Sequence, residues 1–315
     1  MLKSPSHAVV GCSDLGRTEE FLALFGLERT AAAELPAAAA GALYGLEAAA
    51  REVLLATPGA ELGWLRLVAT PHPERRVAPL DSRPFAIDFY TTDIERSVAA
   101  ASQAGAHTSP IVTHQFGPLS IREVEVRGPD HLIVTLLGLD VRRPSLLDRE
   151  PDRLHSELHS FVWSVEDIDR LLPFWSGQAG LETTTDATFE SAELGVLLGV
   201  EGPGRARPVK ARLVVLADAE AQPARLEMIE FLAARRPGEE AAGHLTLPLA
   251  AGLHAPAFTV PDLEAAMAPL AGARFGDVVE VDSAVHPGGR GVTAVAPGDL
   301  RFELWQEIPP QSLLS

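Results

Sequence analysis

The chain has 315 residues, with 26 Lys or Arg against 43 Asp or Glu, for a formal charge of −17. That length suggests two domains, and 46% hydrophobic residues with 22% charged ones exclude a disordered chain. The acidic excess excludes a nucleic-acid backbone or an anionic membrane as the main partner, because both repel a negative surface.

The charge is uneven. Residues 1–150 carry 14 basic and 19 acidic groups, residues 151–315 carry 12 and 24. Cys12 is the only cysteine, so an intrachain disulfide and a thiolate metal cluster are both excluded. The opening MLKSPSHAVV lacks the apolar core of a secretory signal, and no apolar run reaches membrane-spanning length. A cytoplasmic protein is expected, as a monomer or homodimer.

One pattern recurs along the chain. It begins as HAVVGCSDLGRTEEFLALFGLE at His7 and returns as FAIDFYTTDIERSVAAASQAGA at Phe85. It appears again as HSFVWSVEDIDRLLPFWSGQAGLE at His159 and HAPAFTVPDLEAAMAPLAGA at His254. Each copy reads as a short strand, an acidic residue, an amphipathic helix and a Gly-containing stop. Asp14, Asp93, Asp167 and Asp262 stand where a helix needs an N-cap, with Thr92 and Glu95 spaced as a capping box. Gly26, Gly105, Gly180 and Gly272 stand where each helix must end.

Two or three β-rich runs follow each helix. In the third copy they are ELGVLLGV, ARLVVLA and ARLEMIEFLA; in the fourth, GDVVEVD, GVTAVA and LRFELWQ. The turns GPDH at 128–131 and PGD at 297–299 precede the last strand of copies two and four. The chain is thus α+β, made of four βαβββ units spanning residues 1–80, 81–145, 154–248 and 249–315. The expected pairing is unit 1 with 2 (1–145) and unit 3 with 4 (154–315), with VRRPSLLDREPDR at 141–153 as interdomain linker.

These strand–Asp–helix–Gly starts and the PGDLRFELWQ end resemble the vicinal oxygen chelate superfamily, the fold of glyoxalases, bleomycin-resistance proteins and extradiol dioxygenases. The resemblance covers nearly the whole chain. It implies paired units forming half-open eight-stranded barrels around a cavity, two such domains, and a site in one of them. It also implies a divalent metal, Fe(II), Mn(II), Zn(II) or Ni(II), held by residues of the first and last strands.

On that pattern Glu227 and Glu303 are the last-strand carboxylates of units 3 and 4. The matching position in unit 2 is Thr135, and unit 1 offers only the run around Trp64. The family's first-strand ligand lies seven residues before the capping Asp. His7 has that spacing but lacks partners in the expected N-terminal domain, which is read as lacking a metal site. His159 and His254 lie eight residues before Asp167 and Asp262, which turns them to the opposite strand face unless a β-bulge restores their direction. The seven-back residues are Ser160 and Ala255.

The expected site is therefore in the C-terminal domain. Metal ligands are Glu303, Glu227, His159 and His254; catalytic groups are Glu227, Glu303 and His286; Trp305, Arg290 and Ser160 contact substrate. The HPGGRG loop at 286–291 offers glycines for close approach of a ligand, and PGEEAAGH at 237–244 reads as an exposed loop. The implied function is a metal-dependent dioxygenase, lyase or isomerase acting on a small oxygenated molecule. The alternative is a metal-free protein that sequesters a small ligand, or a tailoring enzyme in which Glu227 and Glu303 share one cavity and one proton. The acidic half favours a neutral or cationic substrate unless a metal reverses the sign.

Overall fold

The structure, a computed structural model, describes residues 1–73, 83–116, 119–202, 205–206, 208–220, 223–232, 248–286 and 288–306. The PGEEAAGH segment lies outside these. The four capping aspartates act as the spacing predicts: Asp14, Asp93, Asp167 and Asp262 each accept the backbone N–H three residues on. Each thereby satisfies one of the donors that a helix start leaves without an intrahelical partner. Thr92 does not cap; its hydroxyl donates to the Arg153 carbonyl instead. Gly26, Gly105 and Gly180 take positive φ of 79–84° after their helices, a conformation that costs other residues a steric penalty. Gly272 does not adopt it.

The run ELGVLLGV is helical rather than extended. Ser191 accepts from the Leu194 amide and starts a helix at Ala192–Leu197. Its apolar residues at 194, 197 and 198 then lie on one buried face. Short apolar runs leave strand and helix ambiguous, and here the cap decides.

Two large mixed sheets hold the units, and their pairing differs from the expected one. Opening strand His7–Cys12 of unit 1 runs antiparallel to Gly252–Val260 of unit 4. Arg83–Thr91 of unit 2 pairs the same way with His155–Val165 of unit 3. The barrels are therefore 1/4 and 2/3, not 1/2 and 3/4. The 141–153 segment accordingly joins the two units of one barrel rather than two domains. Leu146 and Leu147 are buried there, and the Leu146 amide donates to Glu157 at 2.9 Å.

Units 1 and 2, and units 3 and 4, meet instead through apolar faces. Trp175 of unit 3 lies 6.1 Å from Phe258 and 5.4 Å from Phe302 of unit 4. Phe25 of unit 1 stacks 6.0 Å from Phe89 of unit 2. Trp163 and Trp175 belong to this shared core. Among the described residues, no helix is long and apolar enough to cross a membrane.

Candidate functional site

Strand register places four residues at equivalent points inside the barrels. The residue five before each capping Asp pairs with the last strand of its own unit: Val9 with Arg66, Asp88 with Thr135, Val162 with Glu227, Ala257 with Glu303. Glu227 and Glu303 hold the equivalent positions that the sequence assigns them, but in different barrels. They do not share a cavity. Glu303 faces Arg66 of unit 1, and Glu227 shares its barrel with Asp88 of unit 2, a carboxylate that the family pattern does not mark.

The 1/4 barrel is filled by its own polar side chains. Arg66, fully buried, forms an ion pair with Glu303 and donates to the Tyr44 hydroxyl at 2.7 Å. Tyr44 donates to Glu303 Oε1 at 2.9 Å, and the Trp305 indole N–H donates to Oε2 at 2.7 Å. The guanidinium also sits 4.9 Å from the Trp305 ring centroid. His286 stacks on Trp305 at 3.7 Å and accepts from Arg66 through Nε2 at 2.8 Å. Burial, then the Arg66 charge, hold His286 below its ordinary pKa. It is a neutral acceptor, so Glu52, 3.6 Å from Nε2, answers the charge of Arg66 rather than that of an imidazolium.

Trp305 and His286 are therefore interior packing groups of this barrel. His254, also buried, lies near Tyr44 with ring centroids 6.1 Å apart. Arg290 is at the surface, paired with Glu264 at 2.7 Å. Gly289 and Gly291 serve close packing. A Cβ at Gly291 would lie 2.7 Å from the Trp305 ring, with Gly291 and Trp305 directly paired across the sheet. Gly291→Ala should destabilise the protein by roughly 1–3 kcal/mol through overpacking, read as a lower urea midpoint.

The 2/3 barrel encloses a cavity of about 350 Å³, within the range of small-molecule sites. Asp88, buried, and Glu227, half-buried, line it. Burial and then Glu227 push Asp88 well above its ordinary value; burial pushes Glu227 up to about 7, against the nearby Arg225 charge. The Thr135 hydroxyl beside Asp88 and the Ser160 hydroxyl beside Glu227 each favour the ionised form. Across the cavity His114 meets Glu123 at 2.8 Å, and that carboxylate raises the imidazole's pKa despite burial.

A bulge brings His159 to this cavity. Leu158 pairs with Phe89 and Ser160 with Asp88, so two residues of one strand face one of the other. His254 sits at the matching irregularity, where Val9 pairs with Ala255 and Val10 with Leu253. The one-residue offset of both histidines is thus compensated in the backbone. His159 nevertheless accepts from Arg225 through Nε2, and its ring lies 3.8 Å from Tyr90. Burial and Arg225 keep it neutral.

The side chains at the metal-ligand positions do not suit a divalent ion. In the 2/3 barrel they are Ala86, Thr135, Ser160 and Glu227, and the Nε2 of His159 is taken by Arg225. In the 1/4 barrel a guanidinium stands where the second carboxylate belongs. Among the described residues, no group of three His, Cys, Asp or Glu is placed to hold a metal.

No family model matches the chain, and no curated protein matches it in sequence. Solved structures do. Glyoxalase I from Zea mays is 12% identical, aligned over 96% of this chain and 92% of its own, with a TM-score of 0.63. A dioxygenase-like protein of Bacillus subtilis is 12% identical over 98% and 87%, with a TM-score of 0.62. The molecule is a two-barrel protein built from four βαβββ units. Its fold is that of the vicinal oxygen chelate superfamily.

Proposed function

We propose that the 2/3 barrel is the working site of an enzyme that moves a proton next to the carbonyl of a small oxygenated molecule, using Asp88 and Glu227 rather than a metal. The observation that carries this reading is the carboxyl pair in one cavity, with Glu227 near neutrality. Two carboxyls that oppose each other's ionisation hold one proton between them, so an acid and a base are present together. The ionised carboxylate takes the proton from carbon, and the C–H electron pair becomes the C=C bond of an enol. The C=O π pair moves onto the carbonyl oxygen, which takes the proton of the protonated partner, with the Arg225 charge stabilising the developing oxyanion. Returning a proton at the neighbouring carbon completes an isomerisation; loss of a leaving group completes an elimination.

The test is solvent deuterium exchange, followed by NMR on a panel of α-hydroxyketones and 2-oxo acids. Catalysed exchange beside the carbonyl, unchanged after dialysis against EDTA, is the expected result. Exchange that disappears on chelation and returns with Mn(II), Zn(II), Fe(II) or Ni(II) would restore the metal-dependent alternative. Saturable binding with no exchange would make the protein a sequestering one.

A further inference from the structure

The 2/3 cavity contains more positive charge than its acidic half of the chain suggests. Arg225 lines it at 6% exposure, with one Nη turned to His159 and Ser160 and Nε without a hydrogen-bond partner. Arg143 lines the same cavity half-buried, close enough to oppose the charge on Arg225. Neither makes an ion pair with a carboxylate among the described residues. Arg142 beside them does, to Asp148 at 3.0 Å, and Glu123 is paired with His114. Asp88 and Glu227 resist ionising together, so they do not neutralise both arginines.

Two like-charged guanidiniums held at one cavity, one buried, are costly unless an anion joins them. The remaining wall includes Leu137, Leu213, Val215 and Ile229. We infer that the ligand of this cavity is a small organic monocarboxylate, its carboxylate received between Arg143 and Arg225 and its apolar body resting on the leucine, valine and isoleucine wall. This rests on reading the cavity as a small-molecule site, and it adds the anionic class of the ligand. A forked guanidinium matches a planar carboxylate in two hydrogen bonds, which makes this pairing tighter than that of a neutral isostere.

The experiment is ligand-detected NMR on the full chain, with phenylacetate, phenylpyruvate, benzoate and hexanoate, each beside its neutral amide. At least one acid should bind about tenfold to hundredfold more tightly than its amide, and Arg143→Gln should remove that preference. Arg143 is half-buried at the mouth, so the variant should fold; Arg225→Lys, which keeps the charge but not the fork, should weaken the acid less. Binding by none of the acids, equal binding of acid and amide, or an unchanged preference in Arg143→Gln each overturns the inference. The two readings fail separately. Acids that bind without deuterium exchange sink the proton-transfer reading alone, while exchange of neutral ketones that shows no carboxylate preference sinks this one alone.

Discussion

Replacing Arg66 by Met should cost the protein about 3–5 kcal/mol, the usual penalty for stripping one partner from a buried ion pair. Glu303 would remain fully buried, keeping Tyr44 and Trp305 as donors but losing its ion-pair partner. Glu52, also buried, would lose the same attraction. The double variant Arg66→Met/Glu303→Gln should recover much of the loss, because it leaves no uncompensated charge at 303, and the Gln oxygen accepts from Trp305 while its amide donates to the Tyr44 hydroxyl that Arg66 has vacated. Urea unfolding of the two singles and the double forms the cycle. Losses that simply add would mean that the pair does not hold the 1/4 barrel together.

Glu227→Gln should reduce turnover of any substrate found by the exchange assay by about 10²- to 10⁴-fold, the contribution of a positioned acid–base group. The same variant should be more stable than the parent at alkaline pH. The folded carboxyl titrates near 7 against an ordinary value of 4.5, so between those values the folded state holds more protons than the unfolded one. Stability from this group is therefore greatest below 4.5 and falls as pH rises through 7. Gln mimics the neutral form and avoids that loss, worth up to about 3 kcal/mol above pH 8. Denaturant midpoints at pH 5 and pH 8.5 should diverge between parent and variant only at the higher pH. A fall in both activity and high-pH stability would point to a structural role for Glu227 and against the acid–base one.

Both predictions concern last-strand positions that the sequence marks equally, yet they describe opposite situations. Glu227 and Glu303 occupy the same point of two repeats, but one lines a cavity and the other is locked to Arg66. Position within a repeat is local information, read from the distance to a capping Asp or a turn. What faces that position comes from another unit. For Glu303 it is Arg66, 237 residues away in sequence, and for Glu227 it is the Asp88 side of the 2/3 sheet.

The repeat, the four aspartate caps and the α+β fold follow from the sequence alone, because each depends on residues within about one helix length of one another. The offset of His159 and His254 was also legible, and so was the need for a bulge to reverse it. The bulges themselves were not, since they appear only in how one opening strand registers against its partner. Pairing of the units belongs to the tertiary structure too. Four similar units offer similar edges, and which of them pair is seen only in the register of the opening strands.

From that single choice the rest of the site follows. It brings Asp88 to Glu227, gives Arg66 to Glu303, and turns the presumed linker into a wall of the cavity that contributes Arg143. Composition assigned the C-terminal half its acidity correctly, but a cavity's charge is set by the few groups that face it. Here those groups come from both halves, because hydrogen bonding between opening strands joins units that the sequence keeps apart.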